Sequence, residues 1–427
     1  MMLSWLQILR LGLVQMSLGA VVVLTTSTLN RLMVVELALP AVLPGMLVAF
    51  HYGIQLTRPN WGFLSDRGGS RTRFIIGGMA VLALGGFLAA LGVVLFPAGF
   101  MIGLSVSVIA YALIGLGVGA SGTSLLALLA TATAPERRAA AAMITWLMMI
   151  GGIAVTAGTV GHFLEPYGAG RLLAIVAIVA LGAVALTALA VAGIEARVKA
   201  RREPDAMPFR QALAEIWGER RARNFTLFVF LSMTAYFMQE LILEPYAGLV
   251  FGFSPGESTA LGGPQHGGAF LGMLVTGLAV SALRIGSLRA WVTGGCLGSA
   301  AALVALAALG QAGLPLLVPA VAALGFFNGV FAVAAIGAMM ALAGEGRARR
   351  EGTRMGLWGA AQAIAAGFGG LAGAALADIL RGGLPAAEAF GGVFLIEAGL
   401  FLVSAWMAAR ILGGVRMRPP AALVPGE

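Results

Sequence analysis

Long apolar runs alternate along this chain with short clusters of arginine, glycine, proline and acidic residues. The runs cover residues 11–36, 40–58, 74–96, 102–130, 139–163 and 171–193, then 224–250, 265–283, 289–310, 315–343, 353–377 and 389–412. An apolar helix of about 20 residues crosses the hydrocarbon core of a bilayer, so the pattern predicts twelve transmembrane helices. The longest polar stretch, residues 195–223, separates the sixth run from the seventh. It predicts an N-terminal six-helix bundle over 1–193, a linker over 194–223, a C-terminal bundle over 224–415 and a polar tail over 416–427. Within the linker Phe209, Leu213, Ile216 and Trp217 recur at helical spacing opposite Arg210, Glu219 and Arg220, which predicts an amphipathic helix on a membrane surface. Such a helix serves either to hold the two bundles together or to dock a partner.

Composition fixes the class. Of 427 residues 59% are hydrophobic and 11% charged, against roughly a quarter charged in a soluble domain. The fold class is therefore all-α integral membrane protein. The net charge of +9 is read as basic loops held in the cytoplasm rather than as a nucleic-acid surface. With an even number of spans both termini share a side. Of the 27 Lys and Arg, all except Arg31, Arg171 and Arg381 fall in the termini or in the loops after even-numbered spans, which places both termini in the cytoplasm. The single cysteine, Cys296, excludes a disulfide within the chain. The first apolar run has no cleavage-like end and many spans follow it, so it is not read as a signal peptide. Sixty-two glycines suit helices that approach closely in lipid, where packing drives association.

The most specific local pattern lies between spans 2 and 3: Gly62-Phe63-Leu64-Ser65-Asp66-Arg67-Gly68-Gly69-Ser70-Arg71-Thr72-Arg73. It resembles the loop signature of the major facilitator superfamily, and the resemblance implies two pseudo-symmetric six-helix bundles. Gly62 and Gly69 permit a sharp turn, Asp66 can accept from a helix N-terminus and from arginines, and Arg67, Arg71 and Arg73 supply the charge of a conformational latch. Ser70 stands where the superfamily usually has Arg, and the equivalent loop, residues 284–289, has no acidic residue. Span 4 lacks the buried Arg, and span 5 the glycine-proline signature, of proton-coupled exporters. Both absences argue against drug–proton antiport.

Ionisable groups inside a bilayer are costly and are functional candidates by default. His51, Gln55 and Arg58 fall at i, i+4 and i+7, with His51 near the midplane. Ser232, Tyr236, Glu240 and Glu244 make a second i+4 stripe on span 7. Asn30, Arg31 and Glu36 lie toward the outer end of span 1, and Glu397 lies in span 12. Snorkelling to the interface is an equal reading for Arg31 and Glu36, as is pairing near the outer leaflet for Glu244 and Glu397. His162 and His266 fall at outer span ends and read as loop histidines. Leu164-Glu165-Pro166-Tyr167 and Leu243-Glu244-Pro245-Tyr246 echo one another, and proline there ends or kinks a helix.

Three segments narrow the likeness: Thr28-Leu29-Asn30-Arg31-Leu32-Met33-Val34-Val35-Glu36-Leu37, Arg58-Pro59-Asn60-Trp61-Gly62-Phe63-Leu64-Ser65-Asp66, and Met238-Gln239-Glu240-Leu241-Ile242-Leu243-Glu244-Pro245-Tyr246. Together they resemble the PucC and LhaA family of purple phototrophic bacteria, over essentially the whole chain. Length and the short N-terminus are most similar to the branch with an old synthase label. The resemblance implies a protein of the inner or intracytoplasmic membrane that handles bacteriochlorophyll a as cargo. Its implied partners are the lipid bilayer, the light-harvesting α and β polypeptides and bacteriochlorophyll synthase. It further implies His51 as axial ligand to the pigment magnesium, with Gln55, Tyr236, Gln239 and Glu240 around the macrocycle. Two other classes compete. A secondary transporter of a small hydrophobic or anionic solute would use Arg31, Glu240 and Glu397. A prenyl-transferring enzyme would need acidic clusters for Mg²⁺ and diphosphate, and the only aspartates are Asp66, Asp205 and Asp378.

Overall fold

A computed structural model describes residues 2–29, 32, 33, 37, 39, 42–67, 70–164, 168–197, 208–253, 261–343 and 350–414. These residues are helical almost throughout. The first six spans are α1 (Trp5–Val23), α2 and α3 (Val42–Ile54 and Arg58–Arg67, one span broken by a 3₁₀ turn), α4 (Arg71–Leu95), α5 (Phe100–Ala132), α6 (Arg138–Phe163) and α7 (Ala169–Val191). Two short helices follow, α8 (Ile194–Arg197) and α9 (Phe209–Gly218). The second six are α10 and α11 (Arg220–Met238 and Leu243–Phe251, bent by 45°), α12 (Gly262–Ser281), α13 (Leu288–Ala312), α14 (Leu317–Ala343), α15 (Glu351–Arg381) and α16 (Ala386–Ile411). Among the described residues nine helices are long and apolar enough to cross a bilayer, ten with the bent pair. Helices α2 with α3, and α12, occupy the two further places that a twelve-helix arrangement has, which is consistent with the expected count.

The two sixes repeat one packing scheme. In the first, α1 packs on α6 and α7, α4 on α5 and α7, and α2 on α5. In the second, α10 packs on α15 and α16, α13 on α14 and α16, and α12 on α14. The bundles meet where α3 and α2 lie along α15, and where α6 lies along α12 and α14. That arrangement is again related by exchange of the halves.

Local chemistry explains the breaks. Proline cannot donate to the carbonyl four residues back and its ring crowds that carbonyl. Pro59 therefore opens the helix at Gln55–Thr57, and Pro245 opens it at Gln239–Leu241. The kink expected at Pro245 thus lies one turn ahead of it, and Pro245 itself sits in the first turn of α11. The other copy of that motif, at residues 165–167, lies outside the described residues.

The first helix starts at Trp5, six residues before the apolar run predicts. Ser4 and Gln7 form a capping box there. Arg10, expected in a terminal tail, is instead helical and donates to the carbonyls of Leu189 and Ala192 at the end of α7, at 2.9 and 2.7 Å. The linker helix α9 buries Ala212 and Ile216, and Phe209 meets Phe63 edge-on. Trp217, expected on that face, is exposed.

Candidate functional site

Asp66 at the end of α3 organises the basic end of the bundle. Its carboxylate accepts the backbone amides of Gly352 and Thr353, both at 2.9 Å, and the Thr353 hydroxyl at 3.1 Å. It also accepts the Arg71 guanidinium at 2.9 Å, while Arg71 reaches Glu351 at 3.5 Å. A carboxylate at the start of α15 meets the positive end of that helix and its unpaired amides. The contact is possible because Gly62 and Gly352 face one another backbone to backbone. A side-chain carbon at Gly62 would overlap the Gly352 carbonyl.

A second carboxylate anchors the same corner. Glu195 in α8 accepts the Ser70 hydroxyl at 2.8 Å and the amides of Arg71 and Thr72 at 2.9 and 3.0 Å, capping α4. Burial alone would raise its pKa, but these hydrogen bonds outweigh burial and hold it down at about 2. Ser70 therefore has its own partner where the superfamily pattern has a charge. Beyond Asp66, α15 is tied to the linker: Arg350 to Glu215 at 2.6 Å, and Arg354 to both oxygens of Glu219 at 2.7 and 2.6 Å. Neither Glu195 nor these linker pairs carry a local sequence signal, since the partners are more than 120 residues apart. Arg67 lies over the Phe63 ring, Arg73 is exposed in the first turn of α4, and Gly69 lies outside the described residues.

Within the bundle, His51, Gln55 and Arg58 form one hydrogen-bonded chain. Arg58 donates to the Gln55 Oε1, which turns the Gln55 amide nitrogen toward His51. That nitrogen lies 2.8 Å from His51 Nε2, and His51 Nδ1 lies 3.1 Å from the Val48 carbonyl. A carbonyl can only accept, so Nδ1 carries the proton and Nε2 presents its lone pair to Gln55. Arg58 also reaches across to the Gly359 carbonyl of α15 at 3.4 Å. His51 is 2% exposed; its backbone abuts Gly115 of α5, and its ring lies 4.4 Å from that of Tyr52.

The second polar group sits across a glycine strip of α15. Gly367 faces Tyr52 on one side, and Gly369, Gly370 and Gly373 face Thr234, Phe237, Met238 and Leu241 on the other. There Tyr236 stacks edge-on with Phe237, and Glu240 lies within electrostatic reach of Tyr236, Tyr52 and His266. The i+4 stripe from Ser232 does not continue past Tyr236. The 3₁₀ turn at Gln239–Leu241 rotates Glu240 and Glu244 to exposed positions and leaves Gln239 buried, its side-chain oxygen without a hydrogen-bond partner among the described residues. Glu397 is fully buried in α16, and neither carboxyl oxygen has a hydrogen-bond partner among the described residues. Asn30, Arg31 and Glu36 lie outside the described residues. No group of three or more His, Cys, Asp or Glu is placed to hold a metal ion among the described residues.

Comparison with known proteins gives this geometry its context. The family model described as PUCC protein matches residues 28–415. The chain is 68% identical to the "Bacteriochlorophyll synthase 44.5 kDa chain" of Rhodobacter capsulatus, over 96% of each. It is 31% identical to "Protein PucC" of Rhodobacter capsulatus, over 95% of this chain and 92% of that one. Among solved structures, a bacterial homologue of the iron transporter ferroportin in its outward-facing state superposes with a TM-score of 0.74 at 14% identity, covering 96% of this chain and 100% of that one. The major facilitator superfamily transporter FucP in the outward conformation gives 0.67 at 15% identity, covering 95% and 97%. These structural likenesses establish the major facilitator fold.

Proposed function

The chain belongs to the PUCC protein family, and within it we propose that this protein is a non-enzymatic carrier that hands bacteriochlorophyll to light-harvesting polypeptides during antenna assembly. The observation that carries this reading is the neutral, buried imidazole of His51. Its Nε2 lone pair is of the kind that ligates the central magnesium of such a pigment. Val48 fixes its tautomer, as hydrogen bonds on the other ring nitrogen commonly do for ligating histidines. Gln55 covers the lone pair, so the cargo enters only when Gln55 releases it. Arg58, which holds Gln55 and touches α15, couples that release to movement between the two bundles.

The Asp66 contact holds the basic end closed, and opening of that end is the motion that separates α3 from α15. The basic end and both termini face the cytoplasm of a phototrophic bacterium, in its inner or intracytoplasmic membrane. Beyond the glycine strip the Tyr236 hydroxyl and the Gln239 amide N–H supply donors to the ring carbonyls of the pigment, with the exposed Glu240 beside them. The relatives bearing the names bacteriochlorophyll synthase chain and PucC support the cargo class.

Deletion in a pigment-producing host tests the reading against catalysis. The carrier reading predicts reduced antenna complex while prenyl transfer to chlorophyllide continues in membrane extracts. Loss of prenyl transfer on deletion, restored by the purified chain, overturns it.

A further inference from the structure

Away from the Asp66 contact, the basic end holds a cleft of about 380 Å³ between the start of α10 and the end of α16. It is lined by Arg220, Arg221, Asn224, Arg410 and Ile411. Arg221 donates through Nε to the Ile411 carbonyl at 3.2 Å, which ties the two helices together and covers an acceptor at the end of α16. Arg410 lies over the Trp406 ring with its guanidinium carbon 4.2 Å from the ring centre. The acidic residues nearest in sequence are engaged elsewhere, Glu215 by Arg350 and Glu219 by Arg354. Among the described residues no carboxylate pairs with Arg220 or Arg410. The cleft therefore holds concentrated positive charge, and the amide-bearing end of α10 adds to it.

One to two turns further along each helix the surface changes character. Leu227 on α10, and Val403 and Trp406 on α16, are large apolar side chains exposed on the outside of the bundle. A basic cleft that opens onto an apolar wall, with a tryptophan at the boundary, matches a molecule with an anionic head and hydrocarbon tails at the edge of a bilayer. A free phosphate ion would use the arginines and leave the apolar wall without a role. We propose that this cleft binds the phosphodiester headgroup of an anionic phospholipid, with Leu227, Val403 and Trp406 receiving its acyl chains. The bound lipid would clamp α10 to α16 within the C-terminal bundle.

The test uses the full chain in detergent, with phosphatidylglycerol, phosphatidylcholine and inorganic phosphate as separate additions in native mass spectrometry and thermal unfolding. Phosphatidylglycerol is expected to bind and to raise the unfolding temperature, while phosphatidylcholine and inorganic phosphate do neither to the same extent. A basic residue near an anionic membrane surface contributes about a fivefold change in binding, so Arg220→Gln with Arg410→Gln is expected to weaken phosphatidylglycerol binding roughly thirtyfold. Arg73→Gln, at the same end on α4, is expected to leave it unchanged. Should the double variant not fold, photoreactive phosphatidylglycerol on the unmodified chain gives the answer, with labelling expected on α10 and α16. Equal phosphatidylglycerol binding by the double variant, equal stabilisation by inorganic phosphate, or labelling confined to other helices would overturn the proposal.

Discussion

Asp66 and Thr353 lie 287 residues apart in the chain and meet twice, the Asp66 carboxylate accepting the Thr353 backbone amide at 2.9 Å and its hydroxyl at 3.1 Å. One residue of the first bundle thus supplies the cap of a helix in the second. Removing one partner of a buried, hydrogen-bonded charge pair costs about 3–5 kcal/mol. Asp66→Ala is accordingly expected to shift the protein toward states with the basic end open. Spin labels at the exposed positions Arg73 and Arg284, one on each bundle, report this as a population at longer distance. An unchanged distance distribution would mean that Asp66 does not hold the bundles together.

Gly62 makes the same contact sterically testable. Gly62→Ala places a carbon against the Gly352 carbonyl, where backbone rather than a flexible side chain must give way. Overpacking of this kind costs about 1–3 kcal/mol. A lowered unfolding temperature and the same lengthened distances are expected. Gly53→Ala, which meets open space, serves as the control and is expected to leave both readings alone.

Glu195 gives the corner a defined pH dependence. Its pKa is held at about 2 in the folded chain against an ordinary value of 4.5. A depressed carboxyl pKa stabilises the fold above the ordinary value, and the contribution is lost as pH falls from 4.5 toward 2. Thermal unfolding of the purified chain across that window is expected to decline less steeply in Glu195→Gln, which is already less stable at pH 7. Parallel declines in both proteins would remove Glu195 as the source.

The spans were legible in the sequence because a bilayer demands a long apolar run and little else. The bend of the seventh span was legible for a different reason: Pro245 cannot donate a hydrogen bond in any context. Glu195 was not legible, since nothing in residues 194–197 announces that its partners sit 124 residues earlier. The same holds for Glu219 and Arg354. Helical spacing puts Trp217 on the apolar face of the linker helix without saying whether protein or lipid covers it, and the fold leaves it exposed while burying Ile216. His51, Gln55 and Arg58 could be aligned by spacing alone. Only the fold shows that Gln55 occupies the nitrogen that a magnesium would need.

Gln55 therefore supplies a prediction of opposite sign to the usual loss of function. Gln55→Leu uncovers His51 Nε2 and takes from Arg58 a charge-assisted hydrogen bond worth about 1.5–3 kcal/mol. The variant is expected to be less stable when empty and to retain severalfold more pigment after purification from a pigment-producing host. Pigment content reduced to that of His51→Leu would show that Gln55 itself holds the cargo.

The most direct test of the carrier reading is the absorption spectrum of the protein gently purified from such a host, compared with His51→Leu prepared in parallel. A near-infrared bacteriochlorophyll band is expected to co-elute with the unmodified chain and to be lost or clearly shifted in the variant. A chain that elutes free of pigment, or a band of the same position and height in His51→Leu, would contradict the carrier reading.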